Sequence, residues 1–287
     1  MKAFKGLILF CFLAIGISSC FDPPEFAITP VIDLEKIEFK VTPDPSEADS
    51  LIVYVNFRDG NGDMGLNDNL RDDPYHEQTF FLEDAGEIIP IGTVQQALNN
   101  VPGYPSELPM IVTPNPTGKL VTNRSRDNGY GFLPAFNSGD LNCRNYTSRL
   151  LLIAPIAKST INDSFNIVDT LRDQTGAEYY VIRDTLHFQR NLNHYNIIVR
   201  FYESSGGPFT EFSWEDEFCT TFNGRYPILA DESGPLEGTI RYAMTSTGFT
   251  PLFSIKDLAL DIIVKDRAFN KDSVRSNKFK LQDIRVN

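Results

Sequence analysis

The chain has 287 residues, 41% of them hydrophobic, and carries a formal net charge of −12 from 26 basic and 38 acidic side chains. This acidic balance argues against a nucleic-acid-binding protein, which needs a basic surface to contact phosphates. The length suffices for one large domain or two small ones with a buried core.

Residues 1–19 predict a secretory signal peptide. Lys2 and Lys5 give a positively charged start, and residues 6–16 are an apolar run too short to span a bilayer well. The segment ends in ISSC, which resembles a bacterial lipobox and implies cleavage before Cys20 and acylation of that residue. Acyl chains contribute about 0.8 kcal/mol per buried methylene, so the anchor would be effectively permanent. An ordinary signal peptide and a signal anchor are the alternatives.

Residues 20–37 are rich in proline and predict an extended tether between the anchor and the fold. Two of the four cysteines, Cys11 and Cys20, belong to the signal and the anchor. The remaining pair, Cys143 and Cys219, predicts a disulfide in an exported chain. Such a bond would stabilise the fold by roughly 4 kcal/mol in the chain-entropy model. Two separate buried thiols are the alternative.

Residues 38–287 predict an all-β fold, an antiparallel sandwich with long loop insertions, either as one large domain or as two modules. Short alternating runs recur between Gly, Pro and Asn turns, and almost no stretch keeps a helical period. The clearest alternation covers residues 50–58. Further strands are expected at 36–41, 78–83, 87–91, 146–155, 164–172, 178–186, 195–203, 238–243, 255–265 and 277–286, with a short helix at 93–100.

A glycine-rich acidic loop, DGNGDMG, follows the strand at 50–58. Asp59, Asn61 and Asp63 place an oxygen-bearing side chain at every second position, and the intervening glycines permit a tight curl. Calcium takes six to eight oxygen ligands, so the loop predicts a calcium site. Asp68, or one of Asp72 and Asp73, is expected to complete the ligand set. The turn at 266–270 also ends a strand and is a further segment that could approach the site.

The same loop also suits a plain hairpin turn. Asp-Gly and Asn-Gly are strong hairpin signals, and an acidic protein contains many such turns. The spacing is not that of an EF-hand, because Met64 stands where that loop needs glycine and Leu70 where it needs glutamate.

Catalytic motifs are missing from the sequence. There is no Gly-x-Ser-x-Gly, no phosphate-binding glycine loop and no paired-histidine motif, and nothing selects a glycosidase pair among the many acids. The three histidines have no cysteine at zinc-ligand spacing. We therefore expect a protein that is not an enzyme.

Aromatic residues offer a second kind of site. Tyr130, Phe132 and Phe136 lie in a polar, glycine-rich segment, and Trp214 precedes the acidic run at 215–217. Exposed aromatic rings would stack on sugars. The alternative is that they pin loops to the core and that the acidic run is a solvated face.

The motifs together resemble a group of outer-membrane lipoproteins of Bacteroidota. The resemblance rests on Cys20, the tether and four stretches at 57–66, 223–227, 234–238 and 266–271; Asn61 stands where such loops commonly have Asp. It implies immunoglobulin-like architecture and a lipid-anchored outer-membrane location, with the leaflet left open, and no activity. We expect a non-catalytic accessory or structural subunit that docks on an outer-membrane protein complex. The alternative is a glycan-binding module of a surface uptake system.

A modification motif of the same phylum, Asp-Ser/Thr followed by an aliphatic residue, also occurs. It resembles an O-glycosylation site and would modify Ser50, Thr170, Thr185 and Ser273. The alternative is that these residues simply begin strands.

Overall fold

The computed structural model describes residues 25–44, 46–81, 88–90, 92–93, 109–111, 143–144, 146–153, 166–172, 176, 178–230 and 234–286. Strands dominate these residues, which confirms the all-β prediction. They are β1 (Val31–Lys40), β2 (Asp49–Asp59), β3 (Gln78–Phe81), β4 (Ile88–Pro90), β5 (Gly92–Thr93), β6 (Pro109–Ile111), β7 (Tyr146–Ile153), β8 (Ile167–Arg172), β9 (Glu178–Arg190), β10 (Ile197–Ser204), β11 (Thr210–Phe212), β12 (Leu236–Ser246), β13 (Asp257–Lys265), β14 (Lys271–Arg275) and β15 (Arg285–Val286).

Helical structure is confined to short pieces. They are α1 (Trp214–Phe218), α2 (Phe249–Phe253) and the 3-10 turns Leu192–His194 and Leu281–Ile284. In the part of the chain that the structure describes, no helix is long and apolar enough to cross a membrane. The helix expected at 93–100 falls outside the described residues except at Thr93, which ends β5.

The first sheet has the strand order β12-β2-β1-β15, with β15 parallel to β1 and the other pairs antiparallel. Strand β2 lies at its centre, and its alternation explains its position. Leu51, Val53, Val55 and Phe57 are buried against the core, while Arg58 points to solvent. Alternation with period two buries one face of a strand, as the sequence predicted.

Strand β1 begins at Val31, within the segment expected to be tether. A bulge between Leu34 and Lys36 inserts Glu35 as an extra residue in the pairing with β2. A bulge shifts the phase of the alternation by one residue. Ile32 and Phe39 are therefore both buried although they differ in parity, which hid the strand from a simple alternation test.

The second sheet has the order β11-β10-β13-β14, all antiparallel, and packs against the first. A single hydrophobic core contains residues of both sheets, among them Val53, Ile240, Phe201 and Leu260. The chain passes from β2 to β10, returns at β12 and crosses again at β13. This connectivity is that of immunoglobulin-like sandwiches, which agrees with the predicted fold.

Four elements of the sandwich, β11, β14, α1 and α2, were not predicted. Of the strand expected at 277–286, only Arg285–Val286 forms a strand, after the 3-10 turn Leu281–Ile284. Strand β14 is an edge strand of the sequence KDSVR, and its one apolar residue is only partly buried, so it carries little alternation. Helix α1 is too short for a helical period. It begins because the Ser213 side chain accepts a hydrogen bond from the Asp216 amide (3.1 Å) and because its first turn is acidic.

A third sheet occupies the long connection between β2 and β10. Its order is β4-β3-β9-β7-β6-β5, and β8 also pairs with β9. Asn191, just after β9, donates hydrogen bonds from its amide to the carbonyl oxygens of Pro74 and His76, both 2.8 Å. The long insertion therefore contains a sheet of its own, and Asn191 ties the chain that leaves this sheet to the chain that enters it.

The Cys143–Cys219 disulfide is present, as predicted, with the two Cα atoms 5.6 Å apart. Cys219 follows the last residue of α1 and has a left-handed conformation, with φ of 58°. Arg144 forms an ion pair with Asp216 of the same helix. The bond therefore fastens the insertion to the second sheet of the sandwich.

We expect the double variant Cys143→Ser/Cys219→Ser to lose roughly 4 kcal/mol of unfolding free energy, because a long loop of the unfolded chain is no longer closed. Urea denaturation measures this loss, and peptide mapping without reductant should show one linked peptide pair. Two freely alkylated thiols in the native protein would contradict the assignment.

Candidate metal centre

The acidic loop begins at Asp59, the last residue of β2, where the strand still pairs with Leu236 of β12. The Gly62 amide donates a hydrogen bond to Asp59 Oδ2 (2.7 Å), and Gly62 has φ of 70°. The chain thus curls back over the strand end, and Met64 is fully buried. The loop does not join two paired strands of one sheet, so it is not the simple hairpin turn considered above.

Backbone hydrogen bonds fasten this loop to the segment that precedes β12. The Leu66 amide donates to Tyr226 O (2.9 Å), and the Gly234 amide donates to Asn61 O (3.1 Å). A Cβ on Gly65 would lie 2.1 Å from Pro227 O, so only glycine allows this approach.

The turn after β13 meets the same loop from the second sheet. Met64 and Asp266 form an isolated antiparallel bridge, and the Arg267 amide donates to Asp63 O (3.1 Å). The Asn270 backbone and side-chain amides donate to the two carboxylate oxygens of Asp266, at 2.8 and 2.7 Å. This turn therefore holds the Asp266 carboxylate in a fixed position beside the loop.

Asp59, Asp63 and Asp266 converge on one point. Each offers a carboxylate oxygen, and these oxygens lie within 4.8 Å of one another. Asp59 is fully buried and Asp266 is 3% exposed. Calcium–oxygen distances of about 2.4 Å place ligands on opposite sides of one ion about 4.8 Å apart, so this spacing suits a single cation.

Three oxygens of the loop have no hydrogen-bond partner in the described part of the chain. They are Asp59 Oδ1, Asn61 Oδ1 and Asp63 Oδ1, and all three are buried. A buried polar atom without a partner costs about 1–3 kcal/mol. Three such atoms lie within five residues, and the oxygens of Asp59 and Asp63 belong to the converging carboxylates between which a cation could bind.

The electrostatics of the triad are unfavourable without such a partner. Burial raises the pKa of Asp59 above its usual range, and the charges of Asp63 and Asp266 raise it further against the hydrogen bond from Gly62. Burial also raises the pKa of Asp266, with the Asp63 charge adding to it and the Asn270 hydrogen bonds opposing it. None of the ion pairs between described residues includes a member of the triad.

Asp68, the fourth predicted ligand, is not among the converging carboxylates; it is exposed, as are Asp72 and Asp73. Arg225 holds the segment after the loop by donating to Asn67 O (3.0 Å) and Leu70 O (2.6 Å). The third carboxylate comes instead from Asp266, on the turn at 266–270, which the sequence marks as a further segment that could approach the site.

Trp214 is not a sugar-stacking residue. It is 6% exposed and packs against Phe201, Phe222, Phe249 and Phe253, with ring centroids 4.8–5.8 Å apart. It belongs to the core, which was the alternative interpretation. The other three predicted stacking residues, Tyr130, Phe132 and Phe136, fall outside the described residues.

The predicted modification sites differ in accessibility. Thr170 in β8 and Ser273 in β14 are exposed, whereas Ser50 and Thr185 lie within strands and are half-buried. An enzyme that attaches a sugar needs an accessible hydroxyl, so the geometry suits Thr170 and Ser273 better. Cys20, the predicted lipidation site, falls outside the described residues.

Comparison of the chain with protein-family models, with curated proteins and with solved structures finds no match. Among the described residues, the converging carboxylates of Asp59, Asp63 and Asp266 are the feature that points to a function.

Proposed function

We propose that this protein is a non-catalytic, lipid-anchored envelope protein whose sandwich is closed at one end by a calcium ion. The ion would be held by Asp59, Asn61, Asp63 and Asp266. The observation that carries the proposal is the fully buried Asp59 carboxylate. Its Oδ1 has no hydrogen-bond partner among the described residues, and the carboxylate lies beside those of Asp63 and Asp266.

Calcium fits this oxygen set better than magnesium does. Calcium accepts six to eight oxygens in flexible geometry, whereas magnesium demands a near-ideal octahedron and usually keeps several of its waters. A site with one fully buried carboxylate and a second almost fully buried leaves little room for a hydrated ion. Water and backbone carbonyl groups would supply the remaining ligands.

The ion would join the two sheets of the sandwich. Asp59 ends β2 of the first sheet, and Asp266 directly follows β13 of the second. A cation bridging them replaces repulsion between carboxylates with attraction. The proposed role of the ion is thus structural, because it holds a rigid end on a protein that displays loops and an inserted sheet.

The anchor and the partner are proposed from the sequence. Cys20 would carry the lipid, and the anchored sandwich would dock on an outer-membrane protein complex as an accessory or structural subunit. Such a role needs an anchor, a rigid fold and exposed loops rather than a catalytic centre. The alternative of a glycan-binding module loses Trp214, one of its four candidate stacking residues, to the core.

We expect calcium to raise the melting temperature of metal-stripped protein by several degrees. Binding only to the folded state adds about 2.7 kcal/mol at a hundredfold excess over Kd. Asp59→Asn should abolish the rise, because it removes a buried charge from the ligand set at nearly constant volume. Differential scanning calorimetry with and without calcium measures both effects.

Asp68→Asn is the matched control, because it removes an exposed acid close to the same loop and should leave the calcium response unchanged. A metal-stripped wild-type protein that melts at the same temperature with and without millimolar calcium would contradict the proposal. A response lost in Asp68→Asn but kept in Asp59→Asn would contradict the ligand set.

We expect the calcium effect to grow as the pH rises. The pKa values of Asp59 and Asp266 are raised by folding, so the calcium-free native state binds more protons than the unfolded state above about pH 3.9, the ordinary pKa of aspartate. Its stability therefore falls as the pH rises through the raised values. Calcium needs the deprotonated carboxylates and offsets this loss.

The measured quantity is the rise in melting temperature when calcium is added to metal-stripped protein. It is determined at about pH 4 and at about pH 7. The difference should be larger at the higher pH in the wild type and near zero at both in Asp59→Asn. An equal difference at both pH values in the wild type would contradict the assignment to these carboxylates.

We expect Cys20→Ala to release the protein from the membrane fraction or to leave its precursor uncleaved, because the acylated side chain is lost. Fractionation of cells that express the full chain, followed by immunoblotting, tests this. Normal processing together with full membrane retention would refute the lipid anchor.

A further inference from the structure

We propose that the cation loop also clamps the segment that leads from the anchor to the sandwich, so that ion binding shortens the tether. This inference rests on the proposed calcium site and, for its consequence at the membrane, on lipidation of Cys20. Its structural basis is the contact between Gly60, within the loop, and residues 25–30, which we call the N-terminal segment.

Gly60 holds the N-terminal segment directly. Its amide donates a hydrogen bond to Ala27 O (2.8 Å). A Cβ on Gly60 would lie 2.4 Å from Phe26 O and 2.9 Å from Ala27 O. The φ of Gly60 is not in the left-handed region, so glycine is needed here for the close approach and not for the backbone conformation.

A second contact holds the chain just after this segment. The Ile32 amide donates to Asp272 Oδ2 (2.9 Å), and Val31 pairs with Arg58 at the end of β2. Arg58 directly precedes Asp59, and Asp272 lies on β14, which follows the turn that contains Asp266. The contacting residues therefore lie close to the proposed ligands in sequence.

The ion and the clamp are coupled because Gly60 lies between two ligands, Asp59 and Asn61. With an ion bound, both neighbours are fixed and the Gly60 amide points at Ala27. Without it, repulsion among the buried carboxylates favours an open loop. An open loop loses the hydrogen bond to Ala27 and the close approach to the Phe26 carbonyl oxygen.

The consequence is a change in reach. An extended chain covers at most about 3.5 Å per residue, so a clamp at Ala27 limits the path from Cys20 to the sandwich to about 25 Å. Release back to Val31, where β1 begins, extends this path to about 38 Å. With the ion bound, the cation end of the sandwich would face the membrane closely; without it, the sandwich would stand further off.

The test is the rate at which chymotrypsin cleaves after Phe26, which is half-buried in the structure. The processed full-length protein in detergent micelles is digested with calcium or after metal stripping, and the cleaved peptide is quantified by mass spectrometry. We expect cleavage to be about fivefold to tenfold faster without calcium, the factor that corresponds to the loss of one hydrogen bond.

Gly60→Ala separates the clamp from the ion. The added methyl group displaces Phe26 and Ala27, so cleavage should be fast even with calcium. Calcium binding and closure of the clamp are linked, so each favours the other by the same factor. The variant should therefore bind calcium more weakly, by about the factor by which calcium slows cleavage of the wild type. Gly207→Ala is the matched control, because nothing lies within 4 Å of the added Cβ and its φ is not left-handed; its cleavage should stay calcium-dependent.

The outcomes distinguish the two proposals. If calcium neither raises the melting temperature nor slows cleavage, both the calcium site and the clamp are refuted. If calcium raises the melting temperature but leaves cleavage after Phe26 unchanged, the site stands and the clamp is refuted. Slow cleavage of Gly60→Ala in calcium, equal to that of the wild type, would also refute the clamp.

Discussion

The repulsion among Asp59, Asp63 and Asp266, which the loop after β2 and the turn after β13 hold together, is the constraint on which one end of this sandwich depends. Two carboxylates about 4 Å apart repel by about 4 kcal/mol at an effective dielectric constant of 20, and the triad contains three such pairs. The hydrogen bonds from Gly62 and Asn270 contribute about 1.5–3 kcal/mol each and do not satisfy Asp59 Oδ1. In a domain of about 5–15 kcal/mol total stability, a repulsion of this size favours either a bound cation or protonation of the acids.

The opposite end of β2 is closed by different means. Asp49 begins the strand, and its carboxylate accepts hydrogen bonds from Thr250 Oγ1 of α2 (2.7 Å) and from the Thr42 amide (3.1 Å). Beside it, the rings of Phe249 and Phe253 stack on Phe201 and pack against Trp214. One end of the sandwich is thus closed by an aromatic core and by Asp49, both of whose carboxylate oxygens accept hydrogen bonds. At the other end, Asp59 Oδ1 and Asp63 Oδ1 have no hydrogen-bond partner among the described residues, and this asymmetry marks the candidate site.

Local features of the sequence predicted most of the architecture. The alternation of β2, the β8–β9 hairpin and the all-β class depend on neighbouring residues, and each was expected within a few residues of its observed bounds. Strand β1 was missed at its start because the bulge at Glu35 changes the phase of its alternation. Strand β14 was missed because an edge strand needs few apolar residues. The candidate metal site depends on both near and distant residues: Asp59, Asn61 and Asp63 are neighbours in sequence, whereas Asp266 joins the loop through the pairing of Met64 with the turn after β13. No spacing rule could choose Asp266 over Asp68, and the clamp at Gly60 was equally hidden, because it depends on where residues 26 and 27 pass.

The most direct test of the central claim is a crystal structure of the processed protein grown in millimolar calcium, with the anomalous signal of the ion measured. Our account predicts one calcium ion bound by carboxylate oxygens of Asp59, Asp63 and Asp266 and by Asn61 Oδ1, at about 2.4 Å from each. An ordered loop with the same three carboxylates converging and no ion between them would contradict it.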